Sequence, residues 1–210
     1  MSSIEGLRTL GVPSASLPLV LHWTRSSEYG QLVRTLAVLF CAALVASAAQ
    51  ISIPLPSTPV PLTLQPTIVL LSAAVLGARL GATCLVLYLA AGVVGFQVFT
   101  WSPWLPLGVG RLLGPTGGYL LSYPIAAYLV GWLAQRGMDR RYITSVGAML
   151  AGLAVIYLGG FAWLLVFTSP EWSTQAAAKL GVYPFLLADA VKLCLVAALL
   201  PSFRRFTTGR

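Results

Sequence analysis

The chain has 210 residues, of which 58% are hydrophobic and only 9% charged, and its mean hydropathy is +0.86. A soluble domain carries about a quarter of its residues as charges, so these values exclude a water-soluble globular fold and place the chain as one membrane domain. The net charge of +8 does not point to nucleic acid, because the Lys and Arg residues cluster at the ends of apolar runs, where they set topology, and no basic run with interleaved aromatics occurs.

Residues 1–31 read as a cytoplasmic or interfacial extension. "VPSASLPLVLHW" (Val12 to Trp23) is apolar but short, and Pro13 and Pro18 interrupt it. It lacks the basic start and small-residue cleavage site of a signal peptide. A bilayer core of about 30 Å needs about 20 apolar residues in a helix. Six stretches supply candidates: 32–53, 64–78, 81–99, 116–135, 142–168 and 183–201. The expected fold is therefore an all-α membrane protein, a compact bundle of six transmembrane helices over 32–203, followed by a basic cytoplasmic tail at 204–210. The second stretch is short for a full crossing, and "GARLG" (Gly77 to Gly81) turns it tightly into the third.

The charges between these stretches alternate. Arg8, Arg25, Arg34, Arg79, Arg136, Arg140, Arg141, Arg204, Arg205 and Arg210 fall on one side, and only Arg111 and Lys179 on the other. An excess of basic residues marks the cytoplasmic side, which predicts that both termini face the cytoplasm.

In the first span, small residues gather from Ala42 to Ala49, with Ala42-x-x-x-Ala46 at the spacing that lets two helices approach closely. That pattern serves either packing within the bundle or docking of a second membrane protein. The outer loop that follows, "QISIPLPSTPVPLTLQP" (Gln50 to Pro66), holds five prolines, Pro54, Pro56, Pro59, Pro61 and Pro66. Proline cannot continue a helix and keeps the chain extended, which leaves Gln50 and Gln65 at the flanking helix ends. The next outer loop, Phe99 to Leu120, combines Trp101 and Trp104 with Arg111, the one arginine of that side, and with the run Gly114-Pro115-Thr116-Gly117-Gly118-Tyr119. The tryptophans suit the membrane interface, and the glycines would let backbone approach a ligand closely. The run lacks the Lys-Ser/Thr of a phosphate-binding loop, so the chain shows no nucleotide site of its own.

The sharpest signal lies in the last span. Asp189 and Lys192 stand i,i+3 within "PFLLADAVKLCLVAALLP" (Pro184 to Pro201), so they share one helix face. Each charge near the bilayer centre costs at least about 2.5–3.5 kcal/mol. They serve either as a self-neutralising helix tether or as the polar floor of a cavity reached from outside. Cys41, Cys84 and Cys194 each sit in an apolar run and form no C-x-x-C, and His22 is the only histidine. Packing residues rather than a metal or disulfide framework are implied.

In order, "AAQISIPLPSTPVPLTLQ", "LGARLGA", "YLAAGVVG…VF", "LLGPTGGYL" and "YPFLLADAVKL" resemble the BioY family, the biotin-binding S components of energy-coupling-factor importers. The resemblance covers about residues 35–200. One motif departs from the family: this chain has Gly95-Phe96-Gln97-Val98-Phe99 where members commonly have Gly-Leu-Pro-Val-Phe, so Gln97 would bring an amide near the ligand. The resemblance implies a multi-pass protein of a bacterial or archaeal cell membrane. Such a protein captures biotin without a cofactor and works with a transmembrane T component and two cytoplasmic ATPases that hydrolyse ATP. On that reading the chain is no enzyme. T-component docking would map to Ala42 and Ala46, with Ala49 one turn beyond.

Biotin's ureido ring has two N–H donors and one carbonyl. Asp189 can accept from the N–H groups, and Lys192 or Gln65 can donate to the carbonyl. Arg111 is the natural partner of the valerate carboxylate, although Lys192 and Arg111 could exchange these tasks. Tyr88, Phe99 and Trp101 offer aromatic walls. The competing expectation is a stand-alone secondary transporter or channel with Asp189 and Lys192 as an ion or proton relay. An intramembrane enzyme is the weakest class, since there is no His pair, paired carboxylate or activated Cys.

Overall fold

The computed structural model describes residues 29–101, 108–167 and 174–202. The N-terminal extension up to residue 28, Trp104 and the tail at 204–210 lie outside the described residues. In chain order the elements are α1 (Gly30–Gln50), β1 (Ser52–Ile53), β2 (Leu62–Thr63), α2 (Gln65–Leu76), α3 (Ala78–Val94), α4 (Val109–Leu112), α5 (Gly117–Leu133), α6 (Tyr142–Phe167), α7 (Thr174–Gly181) and α8 (Tyr183–Ala197). A π-helical turn at Ala134–Met138 joins α5 to the α5–α6 connection.

Each of the six predicted stretches overlaps one of the longer helices, although not all are long enough to span by themselves. α3 begins at Ala78, inside the segment expected to be a turn, so that Gly77 alone separates it from α2. Three helical segments, Gly30–Gln50, Tyr142–Val166 and Thr174–Ser202, are long and apolar enough to cross a membrane. α2 has only 12 residues, about 18 Å at 1.5 Å per residue, well short of a bilayer core. α3 ends at Gly95, whose φ of 109° suits glycine and stops the helix. The third predicted span therefore closes earlier than residue 99, and Phe96 to Phe99 form a turn. Two elements went unforeseen: the helix α7, preceding α8 in a stretch read as loop, and the short hairpin in which Ser52 pairs with Thr63 and Ile53 with Leu62. Pro66 does not belong to the loop either; it occupies the first turn of α2, where its missing N–H would be unsatisfied anyway.

α5 is the central helix, packed against α2, α3 and α6. Its Val130, Ala126 and Ala127 join Leu70, Ala73, Leu85 and Met149 in a continuous apolar core. Large apolar side chains also face outward all around the bundle, including Leu36, Phe40, Ile125, Leu158, Leu187 and Leu195. In water such a surface would be untenable; against lipid it costs nothing.

The two ends of the bundle differ. At one end Ala78 N–H donates to Gln135 Oε1 at 3.4 Å, so the first turn of α3, with Arg79, meets the α5–α6 connection with Arg136, Arg140 and Arg141. The hairpin, α4 and the α7–α8 junction gather at the other end.

Candidate ligand-binding site

A cavity of about 880 Å³ lies at this second end, within the range of about 300–1,000 Å³ usual for small-molecule sites. Its deep walls come from helices: Gln65 (α2), Tyr119 and Tyr123 (α5), Tyr157 (α6), Phe185 and Asp189 (α8). Its roof comes from connections: the proline-rich segment from Pro54 to Pro61, then Phe99, Thr100, Trp101, Arg111, Pro115 and Thr116. The roof is tied down at two points. Thr58 Oγ1 donates to the Leu180 carbonyl at 2.5 Å, and Lys192 Nζ donates to the Thr63 carbonyl at 2.7 Å.

Asp189 is 5% exposed, and both of its oxygens are engaged. Oδ1 pairs with Lys192 Nζ one turn along α8, and Oδ2 accepts from the Tyr157 hydroxyl at 2.7 Å. A carboxylate has about four acceptor positions, so capacity remains on the cavity side. Lys192 does not line the cavity. Its ammonium pairs with Asp189 and anchors β2 through the Thr63 carbonyl, which commits two of its three N–H donors.

Arg111 is 5% exposed and lines the cavity from α4, with Nη1 donating to the Thr100 carbonyl at 3.0 Å. Gln65 is 3% exposed and also faces the cavity. Tyr88 does not. Its hydroxyl accepts from Gln65 Nε2 at 2.8 Å and donates to the Val98 carbonyl at 3.0 Å, and its ring meets Phe99 edge-on at 5.4 Å. Tyr88 thus supports the wall from behind rather than forming it. Phe99 and Trp101 do line the cavity, Phe99 buried and Trp101 62% exposed at its rim.

Three further expectations are corrected. Gly117 and Gly118 are not there for a ligand: a Cβ on Gly117 would fall 1.9 Å from the Leu112 carbonyl oxygen, and one on Gly118 2.1 Å from Trp163. They permit close packing of α5 against α4 and α6. Gln97 is exposed and contributes its backbone carbonyl, which accepts from Gln50 Nε2 at 3.4 Å, so no extra amide enters the site. Ala49 is 0% exposed and is packed inside the bundle, where another protein has no access; Ala42 and Ala46 are partly exposed and touch the core.

Sequence reasoning missed Tyr119, Tyr123 and Tyr157. Tyrosines in apolar runs at 119, 123 and 157 were visible, but only the pairing of α5 with α6 brings them to one wall. Tyr119 also donates to the Gly181 carbonyl at 2.5 Å, fixing the α7–α8 junction.

An outward-apolar helical bundle enclosing a roofed cavity with few convergent polar groups defines a membrane-embedded small-molecule-binding protein. The model of the BioY family matches residues 23–209, and the chain belongs to that family. It is 42% identical over 158 residues to the probable biotin transporter BioY of Pyrococcus horikoshii, covering 75% of this chain and 87% of that one. It is 37% identical over 158 residues to the biotin transporter BioY of Thermotoga maritima, again covering 75% and 87%. The fold is similar to the crystal structure of the S-component for biotin from an ECF-type ABC transporter, with a TM-score of 0.75 at 20% identity over 85% of this chain and 94% of that one.

Proposed function

We propose that this chain captures biotin from outside the cell and carries it through the membrane as the substrate-binding subunit of an ATP-driven importer. The observation that carries the reading is the two-ended cavity, with a tethered carboxylate, Asp189, among the helices and a cation, Arg111, in the roof layer. Biotin has the matching chemistry: a cyclic urea with two N–H donors at one end and a carboxylate at the other. In this reading Asp189 accepts from the ureido N–H groups, Arg111 meets the carboxylate, and Phe99, Trp101 and the α5–α6 tyrosines hold the apolar bicycle. Family membership points the same way.

The finer points of the proposal are six membrane passes in the cell membrane, both termini in the cytoplasm, and assembly with a transmembrane T component and two ATPases. The helices α2 and α3 would cross by protein-lined depth rather than length. The partly exposed Ala42 and Ala46 and the exposed Leu36, Phe40 and Ala43 form the α1 face for the T component. A solitary ion or proton carrier is disfavoured, because Lys192 is held between Asp189 and the hairpin with no place on the cavity wall.

Calorimetric titration of the detergent-purified protein with biotin tests the reading. Saturable binding at one site per chain is expected; no heat or no saturation with biotin would end it.

A further inference from the structure

We infer that Gln65 acts toward the ligand as a hydrogen-bond acceptor, and that Tyr88 is the positioning residue that fixes this polarity. The inference rests on the biotin reading above and adds which ligand atoms the site selects. From sequence alone either Lys192 or Gln65 could donate to the ureido carbonyl; the hydrogen-bond chain behind Gln65 gives it the opposite role.

The Tyr88 hydroxyl lies between Gln65 Nε2 at 2.8 Å and the Val98 carbonyl oxygen at 3.0 Å. A backbone carbonyl has no proton to give, and a hydroxyl has only one. Tyr88 must therefore donate to Val98 and accept from Gln65, which requires the amide NH2 on that side. Turning the amide over would set Oε1 against a hydroxyl whose proton is already committed. Tyr88 cannot easily move to relieve that conflict, being 2% exposed and edge-on to Phe99 at 5.4 Å. Gln65 Oε1 accepts no hydrogen bond among the described residues, although the side chain is 3% exposed and lines the cavity. The oxygen is not among the sealed, unpartnered side-chain atoms of the described residues; it is left open to the cavity as an acceptor, so a ligand N–H is its natural complement.

Asp189 is an acceptor on the same cavity, and Tyr157, having donated to Asp189 at 2.7 Å, has only its lone pairs left to offer. The helix walls thus present at least two acceptors, matching a ring with two N–H groups. A cyclic urea satisfies both. A cyclic carbamate, with oxygen in place of one nitrogen, would set lone pair against lone pair at one of them.

The test is titration calorimetry of the full chain with biotin and with its two isomeric carbamate analogues, each having one ureido N–H replaced by oxygen. Wild type should bind the isomer whose oxygen faces Gln65 about ten- to hundredfold more weakly than biotin. Tyr88→Phe frees the amide to turn its NH2 toward that oxygen, so the biotin-to-carbamate ratio should fall severalfold for this isomer and stay unchanged for the other. Gln65→Met, similar in length and compatible with a helix, should weaken biotin and spare that carbamate, narrowing the same ratio. It carries the test alone if Tyr88→Phe fails to fold. A ratio narrowed by Gln65→Met but not by a folded Tyr88→Phe would overturn the positioning role. Ratios unchanged in both variants would overturn the whole inference while leaving biotin capture intact. Failure of wild type to bind biotin would instead sink the underlying reading, and the inference with it.

Discussion

Asp189 and Lys192 stabilise each other in a setting where neither charge is tolerable alone, and the geometry divides their work. Asp189 faces the cavity, while Lys192 reaches behind it to the Thr63 carbonyl. Removing the carboxylate therefore does two things at once: it takes an acceptor from the site and leaves an ammonium without its counter-ion. Breaking a buried pair from one side costs about 3–5 kcal/mol, so Asp189→Asn is expected to melt lower as well as bind more weakly. Adding Lys192→Met should return much of the lost melting temperature in a thermal-shift assay without returning biotin affinity. If the double variant recovers binding together with stability, Asp189 is a helix tether and not a ligand contact.

At the scale of elements, the site depends on how α3 receives the turn that follows it. Phe99 folds back over Gly92, where a Cβ would stand 2.1 Å from the ring. The same ring then packs on Tyr88 and forms part of the cavity wall. Gly92→Ala gains helix propensity, about 0.8–1.0 kcal/mol, but must displace Phe99 and with it the support of Tyr88. Circular dichroism should show undiminished helix while calorimetry shows biotin affinity reduced by about tenfold or more. Retained affinity would mean that the aromatic wall adapts. The Phe99 wedge could not be read from the sequence, because Gly92 and Phe99 are ordinary residues until the left-handed turn at Gly95 brings them together.

For the whole molecule, the basic turns at one end and the roofed cavity at the other fix a polarity. In a background with the three cysteines replaced by alanine, Ser57→Cys in the roof should react with an impermeant maleimide added to intact cells. Arg141→Cys in the α5–α6 turn should react only after the membrane is opened. The opposite pattern would invert the proposed orientation. Much of this level was legible in the sequence, because burial in lipid writes itself as long apolar runs, and the arginines between those runs collect at the end opposite the cavity. The positions of Asp189 and Arg111 were legible for a similar reason, since a charge in an apolar run or on a poorly charged side needs a cause. The placement of Lys192 between Asp189 and the hairpin, the support given by Tyr88 and the tyrosine wall were not. Each depends on distances between helices that no spacing along one chain encodes.

The segment from Pro54 to Pro61 carries a further consequence. Proline removes backbone freedom that a flexible lid would still possess before its ligand arrives, and this roof is already bonded to α7 through Thr58 and to α8 through the Thr63 carbonyl. Little disorder is then left to freeze when the cavity fills, so the contacts made there translate into affinity with small entropic loss. The heat-capacity change on filling should accordingly reflect the surface of the ligand and its walls, without the larger signature of a segment that folds as it binds.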